Sequence, residues 1–179
     1  MLIAVSGPPG SGTTTAAQRV AARLALDLLP GGEVFRAMAA ERGMSLPVFG
    51  RYVADHPELD VELDTRLAER AREGGCVIES RLAGWIVRQE HLEAVATWID
   101  CDPQVRAERV AGREGVAVAQ ALADNAQRQR VERQRYLSLY GIDVADLSIY
   151  DLVLDSVALA PEELADRIVA TARKRFAVT

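Results

Sequence analysis

The chain has 179 residues, enough for one domain with a well-buried core and too few for two domains of ordinary size. Apolar residues make up 49% and aromatics only 5%, so Ala, Val, Leu and Ile must build the core, which suits buried parallel strands covered by helices. A net charge of −5 and a pI near 5.1 exclude a surface made to neutralise a nucleic-acid backbone, and no apolar run reaches bilayer length; a cytoplasmic protein acting on small molecules is expected.

Leu2 to Val5 reads as a short buried strand running into a glycine loop, and from Thr13 toward Leu26 the apolar positions recur at helical spacing. Leu26 to Leu29 is a second strand, with a turn expected at Pro30, Gly31 and Gly32. Glu33 to Arg72 reads as two or three helices, broken near Gly43 and Ser45 and again at Pro57. Cys76 to Glu79 and Val95 to Ile99 are further strands. Asp102 and Pro103 open a helix toward Arg113, with proline at the first turn where a missing N–H costs nothing. Gly115 interrupts, and an arginine-laden helix follows from Ala117 to Leu139. Leu152 to Leu154 is a fifth strand, and Pro161 starts a last amphipathic helix. Strands alternating with helices predict a parallel sheet with helices on both faces. Cys76 and Cys101 have no partner at metal-ligand spacing and read as buried free thiols. His56, His91, Trp85, Trp98, Tyr136 and Tyr140 read as surface or packing residues.

The loop Gly7-Pro8-Pro9-Gly10-Ser11-Gly12-Thr13-Thr14-Thr15 carries the chemistry, because it follows the first strand and opens the first helix. There its glycines let backbone N–H groups point inward and the helix N-terminus adds partial positive charge, a cradle for polyphosphate. Thr14 holds the hydroxyl position that ligates Mg2+. Thr13 stands where the general pattern has lysine, and Lys174, the only lysine, lies in the last helix. Two readings stand: arginines supply the missing charge, or the protein binds nucleotide without transferring phosphate.

Taken with the segments Gly31–Arg36, Glu79–Trp85, Arg106–Gly115 and Tyr140–Ser156, the loop resembles the archaeal-type cytidylate kinases, relatives of adenylate kinase, over nearly the whole chain. The resemblance implies an α/β P-loop NTPase fold in a single domain, 1–179: a five-stranded parallel sheet flanked by helices, a helical acceptor-binding insertion at 33–72 and a short helical lid at about 114–139. It implies phosphorylation of CMP, and of dCMP, by ATP with Mg2+, in a monomer. Gly32, Arg36 and Arg81 match positions near the acceptor phosphate, Glu79 a position near hydrated Mg2+, and Arg109 and Arg113 the pair before the lid, one near the ATP base and one nearer the phosphates. It also sets the two cysteines at opposite strand ends, on either side of the first strand. In the lid, Arg128 and Arg135 are seven residues apart and share a helical face with Glu132, a face suited to the transferring phosphoryl group. Arg130 and Arg133 lie on another face and suit solvation or surface pairing, while Gln127, Gln129 and Gln134 depart from the acids of related lids.

Phosphoryl transfer asks for in-line positioning and charge neutralisation, which bidentate guanidinium groups provide. Choice of cytosine asks for an acid and arginine pair: Asp60 and Asp64, one helical turn apart, with Arg51 and Arg66 nearby in sequence, fit that demand as well as they fit exposed helix charges. Acceptors such as AMP, UMP or a modified pyrimidine nucleotide, and a non-catalytic nucleotide-binding regulator, stay open.

Overall fold

The computed structural model describes residues 1–44, 48–49, 52–53 and 55–177. Five strands, β1 (Leu2–Ser6), β2 (Asp27–Pro30), β3 (Cys76–Glu79), β4 (Val95–Asp100) and β5 (Leu152–Asp155), form one parallel sheet in the order β2-β3-β1-β4-β5. Among the described residues the helices are α1 (Thr13–Leu24), α2 (Gly31–Glu41), α3 (Glu58–Glu73), α4 (Ala83–Gln89), α5 (Pro103–Glu114), α6 (Val118–Tyr140) and α7 (Pro161–Arg175), and residues 48–49 and 52–53 are also helical. None of the described helices is long and apolar enough to cross a membrane.

Side-chain alternation along the strands divides the core in two. Ile3, Val5, Val77, Val95 and Ile99 face α1 and α7, where Ala16, Ala17, Ala21, Ala165 and Ala172 let those helices lie close to the sheet. Leu2, Ala4, Cys76, Ile78, Ala96 and Trp98 face the other way, onto Ala83 and Val87 of α4, Ala71 of α3 and the ring of Tyr150. Both faces are covered, which is why the strands read as continuous apolar runs. Asp102 caps α5 as its sequence suggests, accepting from the N–H groups of Gln104 (2.8 Å) and Val105 (3.2 Å).

Two local features differ from the sequence expectation. Pro30 ends β2 and α2 begins at once at Gly31, without a turn. Gly31 is there for room, since a Cβ would stand 2.9 Å from Ser80 Cβ. Helix α4 has no counterpart in the predicted elements: it is seven residues long, lacks a side-chain cap and carries Gly84 in its first turn. The break expected at Ser45 lies outside the described residues.

Candidate active site

The strand order sorts the chemistry. With β3 and β4 on opposite sides of β1, the loop after β1 sits at the switch point of the sheet, where ligands of open α/β folds bind. The carboxyl ends of β3 and β2 bring Glu79, Arg81 and Arg36 to one flank, and those of β4 and β5 bring Arg109 and Ser156 to the other.

Gly10 and Gly12 hold positive φ angles of 81° and 92°, and α1 starts with no side-chain cap, so its first N–H groups are free for an anion. Gly7 admits no side chain, as a Cβ would stand 2.5 Å from the Ile99 carbonyl. The Thr13 hydroxyl donates to Glu79 at 2.7 Å. Burial raises the Glu79 carboxyl, and its bond from Thr13 and the charge of Arg81 only partly oppose that. Thr14 and Glu79 offer a hydroxyl and a carboxylate of the kind Mg2+ accepts while it keeps most of its water and binds substrate phosphate. No three His, Cys, Asp or Glu side chains gather into a metal cage among the described residues.

Arg81 connects the loop after β1 to α6. Its Nη1 donates to the Gly7 carbonyl and its Nε to Glu132 Oε2 at 2.8 Å, while Arg128 Nε donates to Glu132 Oε1 at 2.7 Å. Two of the predicted phosphate arginines thus share one buried carboxylate. Burial alone would raise Glu132, but the two guanidinium groups hold it below the ordinary range. Arg81 and Glu132 also line a cleft of about 520 Å³ with Trp98, Asp100, Gln129 and Leu147.

The expected Arg128 and Arg135 face divides. Arg135 turns instead to Asp60 of α3, its Nε 3.0 Å from Oδ2, but the pair is not aligned as a hydrogen bond and both buried atoms lack one. One turn along α3, Asp64 accepts from the Tyr140 hydroxyl at 2.8 Å. Burial raises both acids, Asp64 to about 6. The arginine at Asp60 therefore comes from α6. Arg66 is bound to Glu41 and Glu62, and Arg51 lies outside the described residues.

Arg36 is exposed beside Gly32, its guanidinium 3.9 Å from Glu33. Arg109 donates to the Ser156 carbonyl at 2.9 Å and hydroxyl at 3.0 Å, and to the Gly10 carbonyl at 3.4 Å. Arg113 is not brought to this group; it is 64% exposed and paired with Glu114. Arg133 pairs at the surface with Asp143, as its helix face suggests. Trp98 packs on Tyr150.

Sequence reasoning missed Arg106. It is buried, with Nε on the Cys101 carbonyl (3.1 Å), Nη1 on the Pro9 carbonyl (3.4 Å) and Nη2 on Gln129 Oε1 (3.1 Å). A signal existed, because Arg106 falls in the apolar stripe of α5 with Ala107, Val110 and Ala111.

The sequence matches the cytidylate kinase-like family over residues 2–158. It is 49% identical to the cytidylate kinase of Pyrococcus horikoshii over 162 residues, 90% of this chain and 83% of that one. Against the cytidylate kinase of Halorubrum lacusprofundi it is 45% identical over 172 residues, covering 96% and 88%. Among solved structures it is similar to an uncharacterized protein from Eubacterium ventriosum (TM-score 0.72, 18% identity, 96% and 97% of the two chains). It is also similar to shikimate kinase from Aquifex aeolicus (TM-score 0.60, 16% identity, all of both chains), and at these identities the likeness concerns the fold.

Proposed function

We infer that this chain, which belongs to the cytidylate kinase-like family, transfers the γ-phosphoryl group of ATP to CMP, and to dCMP as a second acceptor. The names of the relatives support the choice of CMP. The observation that carries the chemistry is Arg81, which ties the Gly7 carbonyl of the phosphate loop to Glu132 of α6 and meets Arg128 on the same carboxylate.

In this reading the loop from Gly7 to Thr15 and the first turn of α1 hold the donor phosphates, and Arg109 faces the donor base. Residues 33–72 take the acceptor, with Arg36 and Arg81 on its phosphate and Asp60 and Asp64 toward its base. Residues of about 114–139 form the lid, whose Arg128 and Arg135 would exchange their carboxylates for phosphoryl oxygens as substrates enter. A guanidinium fork can make that exchange without changing protonation. The Thr14 hydroxyl would hold magnesium, with Glu79 beside its water shell, and the ion would supply charge neutralisation for the donor phosphates. We place the enzyme in the cytoplasm as a monomer acting on free nucleotides.

The test is ADP release from ATP with CMP, dCMP, UMP and AMP in turn, and with no acceptor. The highest kcat/KM is expected with CMP. A higher value with AMP or UMP would move the acceptor assignment. Thr13 at the lysine position is the observation that favours a second reading, a nucleotide-binding regulator. ATP binding without acceptor-dependent ADP release is the result that would establish it.

A further inference from the structure

Three arginines grip the phosphate loop by its carbonyl oxygens. Arg81 donates to Gly7, Arg106 to Pro9 at 3.4 Å and Arg109 to Gly10 at 3.4 Å. Arg81 is neutralised by Glu132 at 2.8 Å, whereas among the described residues no carboxylate pairs with Arg106: its three partners are all uncharged oxygens, on Cys101, Pro9 and Gln129. The residue is only 4% exposed. A guanidinium cannot shed its proton in a protein, so this is a permanent positive charge in a low-dielectric site, an arrangement that is costly to maintain for packing alone. The contact with the loop is close, since a Cβ on Gly10 would stand 2.8 Å from the Arg106 carbonyl. Burial and the neighbouring charge of Arg81 both work against this cation, and Cys101, Asp100 and Asp102 at the end of β4 and the start of α5 favour it.

We propose that Arg106 is an electrostatic positioning residue for the donor polyphosphate, supplying from beneath the loop the fixed positive charge that Thr13 does not. It acts through the loop: the bond to the Pro9 carbonyl turns that peptide so its oxygen faces outward, and the unneutralised charge raises the potential inside the cradle. The link to Gln129 makes the same guanidinium a tie between the loop and α6. The proposal rests on the reading of the loop as the donor-nucleotide site.

Wild-type protein is assayed first for CMP-dependent ADP release; failure there counts against the donor-site reading itself. With activity in hand, Arg106→Gln, which keeps a polar side chain and removes the charge, is expected to lower kcat/KM for ATP by about tenfold or more. Its KM for CMP should stay within about twofold, because the acceptor flank is untouched. Arg106→Lys separates charge from shape, because a buried lysine has a lowered pKa where arginine does not titrate. Its kcat/KM for ATP, divided by the wild-type value, is expected to fall about tenfold between roughly pH 7 and pH 10 as that amine loses its proton. A Gln variant that folds and loses less than about twofold, or a Lys-to-wild-type ratio flat across this range, would overturn the proposal. If the Gln variant does not fold, the lysine profile decides alone.

Discussion

At the scale of single residues, the site is a set of oxygens and guanidinium groups in contact with one another. Thr13 is the clearest case. Its hydroxyl is committed to Glu79 at 2.7 Å, so a lysine placed there would meet a partly buried carboxylate whose desolvation raises it above its ordinary value. The new ammonium should pair with Glu79 and draw its pKa down rather than add free positive charge to the cradle. Thr13→Lys is therefore expected to change turnover by less than about tenfold. Arg128→Ala removes a guanidinium from the face of α6 that carries Glu132 and should lower turnover by about a thousandfold or more. Steady-state rates of the two variants side by side are the check, and a silent wild type switched on by lysine would contradict both expectations.

At the scale of elements, helices that look alike in sequence are held by different constraints, and two glycines make the point. Gly84 lies in α4 where a Cβ would enter the ring of Tyr150, whereas Gly112 lies in α5 with nothing within 4 Å of its Cβ position. Gly84→Ala must push aside Tyr150, which is packed on Trp98 over the sheet, and is expected to destabilise by about 1–3 kcal/mol. Gly112→Ala removes only backbone freedom of the unfolded chain and should stabilise by up to about 1 kcal/mol. Urea unfolding midpoints at constant m-value distinguish the signs. Equal shifts would mean that helix propensity, and not the ring, decides at Gly84.

At the scale of the whole molecule, α6 docks against both sides of the site: against the loop side through Gln129 and Arg106, and against α3 through Asp60 with Arg135 and Asp64 with Tyr140. This docking carries a pH dependence. Asp64 ionises near 6 in the fold against an ordinary 3.8, so the folded state holds the extra proton between those values and stability falls as pH rises through them. Asp64→Asn, whose amide oxygen still accepts from Tyr140, should raise stability near pH 7.5 by up to about 3 kcal/mol, a gain that disappears below about pH 4. Thermal unfolding across pH is the measurement, and a gain independent of pH would place the effect elsewhere. The sheet order also explains the free thiols: Cys76 opens β3 and Cys101 follows the end of β4, at opposite ends of strands that flank β1, and both are buried and unpaired. The five strands, the loop at the end of the first and the helix capped by Asp102 are legible along the chain, because apolar period, turn residues and caps act over a few residues, and the family is legible from its motifs. Strand order and helix docking set that Arg135 meets Asp60, that Arg106 lies buried beneath Pro9 and that α4 forms at all. The reason is physical: an arginine reaches several ångströms from its backbone, and which oxygen it finds depends on the order of strands and the docking of helices far apart in the chain.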